Sequence, residues 1–218
     1  MKTIKMTLLL CLISTLAFAS VSQKEKNALI AIYQSTQGEN WTVTWNLDSP
    51  VSTWNGVEVK NDQVVALDLS FNNLQGELPK ELGDLVHLHT LNLFRNKISG
   101  ALPNTFANLK QLKTLNIAFN NLEGKIPQSI AQLSSLKSLQ LFMNNIEGSL
   151  PSNIGDLKSL KVLELYNNNL SGTLPNSIGN LSNLESLQLS SNEFYGKLPT
   201  SIYKLTALKI LSVFGNNI

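Results

Sequence analysis

Leucines and other apolar residues recur along most of this chain in a pattern with a fixed period of 24 residues. One full unit reads LKTLNIAFNNLEGKIPQSIAQLSS, from Leu112 to Ser135. Leu115 and Ile117 lie two residues apart, so both point to one side of a short strand, and Asn116 points the other way. The other apolar positions are Leu112, Leu122, Ile126, Ile130 and Leu133. One coil cannot bury this set alone, so the pattern predicts stacked coils with a continuous core and parallel strands side by side.

Polar and special residues keep the same period. The repeated asparagines are Asn72, Asn96, Asn120, Asn144, Asn168, Asn192 and Asn216, and glycines and prolines recur at Gly76 to Gly196 and Pro79 to Pro199. Asn120 follows the strand, where an inward amide can satisfy buried backbone groups and repeat as a ladder. Gly124 permits a bend with positive φ, and Pro127 suits the end of a short edge segment. Residues 128–133 then predict a short helical or 3₁₀ turn on the outer side.

The full pattern, LxxLxLxxNxLxGxIPxxLxxLxx, resembles the plant-type subclass of leucine-rich repeats. The resemblance covers residues 62–218, about seven repeats with the last incomplete. It implies an α/β solenoid, a right-handed superhelix with a concave parallel β-sheet, an additional short strand in each LxGxIP segment and an N-terminal helical cap. Members of this subclass serve as receptors, co-receptors, enzyme inhibitors and secreted adaptors, so the resemblance implies a fold and leaves the function open.

Residues 1–19 have the features of a signal peptide. Lys2 and Lys5 precede a short apolar run, and Ala17-Phe18-Ala19 matches a small-x-small cleavage site. A retained membrane anchor is the alternative. Cys11, the single cysteine, lies inside the apolar run after Leu10, which is too large for a lipoprotein site. The mature chain is therefore predicted to be free of disulfides and secreted, extracellular or at the cell surface, with the periplasm as a further possibility.

Residues 20–61 are predicted to form an N-terminal cap. Residues 23–37 show helical spacing of apolar positions, and Trp41, Trp45 and Trp54 follow, the last within TWNGVEV. This resembles the cap that precedes plant-type repeats, and the tryptophans are predicted to form its core. The cap cysteines of the family are missing, with Glu58 where the second is usual, and this departure suggests a bacterial relative.

The charge, the apolar runs and the last coil each bear on the kinds of partner that the sequence predicts. The net charge of +2 and the 15% of charged residues give no electrostatic argument for a nucleic-acid or membrane partner. Beyond the signal there is no apolar run near membrane-spanning length. Leu208, Leu211, Val213 and Ile218 begin a last coil that does not close. A longer parent protein, a frayed coil and end-to-end pairing of monomers are the three explanations.

The sequence offers no catalytic constellation. His87 and His89 could form a weak metal pair, with Asp84 the only nearby carboxylate, but solvated or partly packed histidines are the simpler interpretation. Asp68 and Glu164 are four coils apart, about 19 Å at the spacing of strands, which is too far for a glycosidase pair. No Gly-rich phosphate loop or nucleophile elbow is present. We therefore expect no enzyme activity, no cofactor and no metal.

The side chains between and after the inward leucines are predicted to face outward on the concave sheet. The candidate ligand-binding residues there are Phe94, Asn116, Phe119, Gln140, Phe142, Met143, Glu164, Tyr166, Gln188 and Phe214. Phe142, Met143 and Tyr166 are predicted to form an exposed apolar centre. A mostly basic margin runs alongside, formed by His89, Lys113, Lys137, Lys161, Glu185 and Lys209. Aromatic rings flanked by hydrogen-bonding groups suit a protein ligand or a glycan.

The sequence thus predicts a secreted, non-enzymatic binding module that recognises a protein partner through rigid display of concave side chains. Two alternatives remain. One is an inhibitor of a secreted polysaccharide-degrading enzyme, as some relatives of this subclass are. The other is a ligand-sensing fragment of a larger receptor-like surface protein.

Overall fold

A computed structural model describes residues 21–218 of the chain. The predicted signal peptide and Cys11 lie outside the described residues. The repeats wind as successive coils, each with a short strand on one side and a 3₁₀ helix on the other. The single α-helix of the described part, α1 (Gln23–Ser35), precedes them. No helix in residues 21–218 has the length and apolar character needed to cross a membrane.

Short strands account for most of the regular structure. In chain order they are β1 (Val57–Lys60), β2 (Gln63–Asp68), β3 (Gln75–Glu77), β4 (Thr90–Asn92), β5 (Lys97–Ser99), β6 (Thr114–Asn116), β7 (Ser138–Gln140), β8 (Glu147–Gly148), β9 (Val162–Glu164), β10 (Asn169–Gly172), β11 (Ser186–Gln188), β12 (Glu193–Phe194) and β13 (Ile210–Ser212). The 3₁₀ helices are Gly38–Asn40, Val51–Thr53, Lys80–Asp84, Asn104–Asn108, Gln128–Gln132, Ile154–Asp156, Asn176–Asn180 and Thr200–Lys204. The predicted turn at 128–133 is therefore confirmed as a 3₁₀ helix.

The long sheet has eight strands in the order β1-β2-β4-β6-β7-β9-β11-β13. Only β1 and β2 pair antiparallel; every later pair is parallel and in register with the repeat, so that Leu91 faces Leu115 and Leu115 faces Leu139. The predicted additional strands form two smaller parallel sheets, β3-β5 and β12-β10-β8. Gly124 takes φ +70° at the corresponding bend. The fold is the predicted leucine-rich-repeat solenoid with a concave parallel sheet.

The inward side of the long sheet is a column of leucines. In strands β2, β4, β6, β7, β9 and β11 the inward leucine is fully buried: Leu67, Leu91, Leu115, Leu139, Leu163 and Leu187. Behind the strands lie residues from the 3₁₀ helices and their flanks, including Phe106, Ile130, Ile154 and Ile178, also fully buried. Each fully buried leucine stabilises the fold by about 1.5–3 kcal/mol. Because the column of leucines continues from coil to coil, the stack shares one continuous core.

The asparagine ladder has the predicted role. The Asn120 side chain is 7% exposed. Its Nδ2 donates to the carbonyls of Leu93 (3.0 Å) and Ile117 (3.1 Å), and its Oδ1 accepts from the amide of Ile98 at 2.9 Å. The same three bonds recur at Asn144, one coil later. Each asparagine thus joins its own coil to the preceding one by satisfying buried backbone groups of both, and neighbouring asparagines share a carbonyl, as Asn120 and Asn144 share that of Ile117.

The amino-terminal segment takes the place of a preceding coil. Trp41, Trp45 and Trp54 are at most 5% exposed, and the rings of Trp45 and Trp54 stack with centroids 4.8 Å apart. Asn72, the first of the ladder, accepts from the amide of Val43 at 2.6 Å and donates to its carbonyl at 3.1 Å. The tryptophans therefore form a core, as predicted, and the segment completes the hydrogen bonds of the first coil.

The last coil is the least buried part of the repeat array. Ile210 and Leu211 are 51% and 42% exposed, whereas the equivalent residues one coil earlier, Ser186 and Leu187, are buried. The backbone of this coil still follows the repeat, since Asn216 donates to the carbonyls of Leu189 and Val213.

Candidate ligand-binding surface

All ten candidate residues lie on the exposed, concave face of the long sheet. Asn116, Gln140, Glu164 and Gln188 end strands β6, β7, β9 and β11. Phe94, Phe142, Tyr166 and Phe214 come two residues after their strands, and Phe119 and Met143 come three residues after theirs. The strand pairing therefore stacks residues of the same repeat position beside one another, as the repeat period predicts.

The backbone just before each repeated asparagine is left-handed. Phe71, Arg95, Phe119, Met143, Asn167 and Ser191 have φ between +53° and +57°. Residues other than glycine rarely take positive φ, and a bulky one there is a backbone outlier that the surrounding structure must hold in place. The conformation turns the chain so that the next residue, the asparagine, points inward.

Five aromatic rings form a continuous row across consecutive coils, which we call the aromatic ladder: Phe71, Phe94, Phe119, Phe142 and Tyr166. The centroid separations from ring to ring are 5.3, 5.4, 5.7 and 4.4 Å. The first three contacts are edge-to-face, and the rings of Phe142 and Tyr166 are stacked with an interplanar angle of 10°. Both arrangements are favoured for aromatic pairs.

Phe142 is not the exposed residue that the sequence predicts. Only 9% of it is exposed, because Tyr166 stacks on one face while Phe94 and Phe119 lie at its edges. Met143, at 37% exposure, matches the prediction. The apolar surface that a ligand can reach is therefore formed by Met143, by Phe71 at 58% exposure and by the outer parts of the half-buried rings.

Arg95 lies in the middle of the aromatic ladder. Its guanidinium carbon is 5.6 Å from the ring centroid of Phe71 and 5.6 Å from that of Phe119. A guanidinium in this position is attracted by both rings and held in a limited range of orientations. Within residues 21–218 it forms no salt bridge. The five donors of its side chain are thus available to an incoming acceptor.

The polar residues that end the strands fall into two groups. In the first three coils, Asp68, Asn92 and Asn116 each accept from the backbone amide two residues later, at 3.0 to 3.2 Å. Asn116 is therefore partly engaged in holding its own turn. Burial raises the pKa of Asp68, but hydrogen bonds from Ser70 and Asn92 outweigh it, and the net pKa is lowered.

In the following coils the strand-end residues bond to one another. Both oxygens of Glu164 are used: Oε2 accepts from Gln140 Nε2 at 2.8 Å, and Oε1 accepts from Gln188 Nε2 at 2.9 Å. Burial, together with the charge of Glu164, raises the pKa of the Tyr166 phenol. Three predicted site residues are thus joined in one amide–carboxylate row beside the stacked end of the aromatic ladder.

A shallow groove lies beyond Tyr166. It is lined by Tyr166, Asn167, Gln188, Ser190, Ser191, Ser212 and Phe214. Its floor is hydroxyl-rich, with the Oγ atoms of Ser190 and Ser212 2.6 Å apart. Phe214, which is 72% exposed, forms the far wall. Phe214 is not part of the aromatic ladder, but this groove brings it together with the candidate residues Tyr166 and Gln188.

The basic margin is continuous because each of its amides donates to the carbonyl of the equivalent residue one coil earlier. Lys113 donates to His89, Lys137 to Lys113 and Lys161 to Lys137, each at 2.8 Å. Glu185 interrupts this row of positive charges, because its carboxylate oxygens lie 2.8 Å from Lys161 Nζ and 2.6 Å from Lys209 Nζ. These two lysines lower the pKa of Glu185 to about 2.

The two histidines do not form a pair. His87 Nδ1 is 3.5 Å from Oε1 of Glu25 on α1, and His89 Nε2 is 3.1 Å from Oε1 of Gln111 in the next coil. Among the residues that the structure describes, no group of three or more His, Cys, Asp and Glu side chains could hold a metal ion.

Phe71 and Arg95 lie on the same surface, although they are not among the ten candidate residues predicted from the sequence. Both occupy the repeat position of Phe119 and Met143, directly before the asparagine. The period alone could have included them. That Arg95 sits between two rings depends on the side-chain packing and could not have been predicted from spacing.

Comparison with known proteins identifies the repeats. A leucine-rich repeat region matches residues 66–148, and a second leucine-rich repeat model matches residues 158–218. The leucine-rich repeat protein FLOR 1 of Arabidopsis thaliana is 34% identical over 74 residues, which are 34% of this chain and 23% of FLOR 1.

Solved structures give the same result over a larger part of the chain. The PEPR1–AtPEP1 crystal structure superposes with a TM-score of 0.81 at 29% identity, covering 89% of this chain and 28% of that one. The Arabidopsis receptor kinase HAESA ectodomain, solved with an N-terminally extended IDA peptide hormone ligand, gives a TM-score of 0.74 at 33% identity, covering 87% and 32%. The chain thus spans about a quarter to a third of the length of these relatives. Sequence and fold agree that residues 66–148 and 158–218 are leucine-rich repeats.

Proposed function

We propose that the protein is an extracellular, non-catalytic module that binds a peptide or protein segment along the concave face. The observation that carries this proposal is the continuous row formed by the aromatic ladder, the Gln140–Glu164–Gln188 row and the groove that ends at Phe214. Aromatic side chains with few rotatable bonds, next to hydrogen-bonding groups, supply contact area at low entropic cost.

The scaffold supports this proposal because it is already ordered where the ligand would lie. The aromatic rings contact one another, and the strand-end side chains are tied by hydrogen bonds before any ligand arrives. Binding would then require little ordering of the protein, which favours affinity. The HAESA ectodomain, in its complex with a peptide hormone ligand, shows that this fold can hold a peptide. The secretion signal and the bacterial origin of the chain stay predictions.

The experiment that tests the proposal is a binding screen of the protein against extracellular peptides, proteins and glycans. Two double variants run beside the wild type. Met143→Ala with Phe214→Ala removes exposed side chains from the concave face. Tyr195→Ala with Tyr203→Ala is the matched control, because these tyrosines are 53% and 86% exposed and lie after β12 and in the 3₁₀ helix Thr200–Lys204.

We expect a peptide or protein ligand whose affinity falls about tenfold or more in the concave variant and stays unchanged in the control, since anchoring side chains each carry a kcal/mol or more. Melting temperatures of both variants should stay close to that of the wild type. A ligand lost in the control variant but kept in the concave variant would overturn the proposal. Binding of glycans alone would overturn the assignment of a peptide or protein ligand.

A further inference from the structure

Charge is unevenly distributed along the concave face. Residues 88–159, three consecutive coils, contain seven lysines and arginines and three acidic residues. None of the three acids lies on the concave face: Glu147 belongs to β8 of a smaller sheet, Glu123 lines the same side of the coil as Glu147, and Asp156 ends a 3₁₀ helix. Three of the cations, Arg95, Lys113 and Lys137, do lie on that face.

These three cations are not neutralised. Within the described part of the chain, none of Arg95, Lys113 and Lys137 forms a salt bridge. The contrast is with Lys161 and Lys209, which both pair with the carboxylate of Glu185. The basic margin is therefore an uncompensated cationic surface in residues 88–159 and a partly compensated one beyond residue 160.

The acids on either side of these coils are already engaged. Asp68 in the preceding coil accepts from Ser70 and from Asn92 Nδ2. Glu164 in the following coil accepts from two glutamine amides. Neither is within salt-bridge distance of Arg95, Lys113 or Lys137. The cationic surface is thus flanked by two carboxylates that bond to neutral donors and do not pair with its cations.

Cations stand on both sides of the strands. Lys113 and Lys137 precede β6 and β7, whereas Arg95 follows β4 and is held between Phe71 and Phe119. Strand-end amides and hydroxyl groups lie between, including those of Thr114, Asn116, Ser138 and Gln140. A guanidinium between two aromatic rings favours carboxylates, which it can bind in a bidentate fashion, and exposed lysines attract anions without fixing their geometry.

We infer that the ligand of this surface is an acidic peptide segment, whose carboxylates pair with Arg95 on one side and with Lys113 and Lys137 on the other. This inference rests on the proposed function and specifies the chemistry of its ligand. The aromatic ladder contacts the apolar side chains of the segment, and the three cations bind the carboxylates that lie between those side chains. An acidic segment lying beyond residue 160 would instead meet Glu164 and Glu185, so the charge pattern also fixes which coils it occupies.

Fluorescent peptides of one length, in which phenylalanine alternates with glutamate, glutamine or lysine, serve as probes. Binding is measured by fluorescence anisotropy at low and at physiological salt. The test variant is Lys113→Glu with Lys137→Glu. The control is Lys97→Glu with Lys125→Glu, which makes the same charge change at exposed lysines in β5 and beside Gly124, away from the concave face. A polygalacturonate arm presents the same carboxylates on a polysaccharide.

The wild type is expected to bind the glutamate peptide at least about tenfold more tightly than the glutamine peptide, and the lysine peptide most weakly. The preference should shrink as salt rises, vanish in the Lys113/Lys137 variant and persist in the control. The inference is overturned if the three peptides bind equally, if the preference survives in the Lys113/Lys137 variant, or if polygalacturonate binds more tightly than the glutamate peptide. The proposed function has a separate readout. A screened ligand whose binding is lost in the Met143/Phe214 variant but unchanged in the Lys113/Lys137 variant would support the proposed function and overturn this inference.

Discussion

The two faces of the long sheet differ although the same strands form both. On the inward face, the residue type is the same from coil to coil: Leu115, Leu139 and Leu163 are all fully buried, and Asn120 and Asn144 make the same three bonds. On the concave face, equivalent positions hold alanine at residue 118, phenylalanine at 142 and serine at 190. The inward face holds coils together, and the concave face is free to vary.

This difference separates what the repeat requires from what a ligand requires. A change on the inward face alters contacts between neighbouring coils and should be measured as a loss of stability. A change at an exposed concave position should be measured as a change in binding. The variants that follow test which residues affect stability and which affect only binding.

The largest expected loss of stability follows from Asn144→Ala. It leaves the amide of Leu122 without its acceptor, and it removes one of the two asparagine donors from each of the carbonyls of Ile117 and Leu141. We expect the free energy of unfolding to fall by about 3–4 kcal/mol, since the unpaired amide costs about 1–3 kcal/mol and each of the two lost hydrogen bonds about 0.5–1.5 kcal/mol more. Urea denaturation at 25 °C measures it.

The matched control for this prediction is Asn145→Ala, the same substitution at the next residue, which is exposed. Its effect should stay within about 0.5 kcal/mol, as for surface substitutions in general. Similar losses in the two variants would contradict the role given to the asparagine ladder.

A second prediction concerns Phe142, which lies on the concave side but is packed like a core residue. Phe142→Ala removes a ring that is 9% exposed and stacked on Tyr166, so it should lower the free energy of unfolding by about 2–3 kcal/mol although it points to the concave side. Met143→Ala, one residue later and 37% exposed, should cost less than about 0.5 kcal/mol. If thermal or urea denaturation finds Phe142→Ala as harmless as Met143→Ala, the packing of the aromatic ladder is not as described.

Phe142 also shows where prediction from sequence stops. The period predicts the strands, the inward leucines, the asparagine bonds and the 3₁₀ helix at 128–132, because each of these depends on contacts between equivalent positions. The exposure of Phe142 depends on which residues occupy neighbouring positions, Tyr166 on one side and Phe119 on the other. The pairing of His87 with Glu25 depends on how α1 packs against the first coil. Neither fact is contained in the period.

The smallest expected effect concerns Glu185, which pairs with Lys161 and Lys209 in the basic margin. Its folded-state pKa of about 2 lies below the ordinary value of 4.5 because Lys161 and Lys209 donate to its carboxylate. The contribution of this carboxylate to stability is therefore present above pH 4.5 and lost as the pH falls through about 2. Because the side chain is exposed, solvent and salt screen the interaction, and the effect on stability is small.

An NMR pH titration of the Glu185 side chain checks this prediction. In Lys161→Met with Lys209→Met, the carboxyl group should titrate closer to its ordinary value, whereas Lys113→Met should leave its pKa unchanged. A titration near pH 4.5 in the wild type would show that the two lysines do not hold this carboxylate in solution.

The central claim is that the concave face, centred on residues 88–166, is where a ligand binds. Met143 is one of three methionines, the others being Met1 and Met6, so methyl-labelled methionine places a single probe on this face. The Met143 methyl resonance, assigned by its loss in Met143→Leu, is followed while the glutamate peptide or a screened ligand is added. The account predicts that this resonance shifts or broadens in proportion to binding. Binding measured by anisotropy with an unchanged Met143 resonance would contradict it.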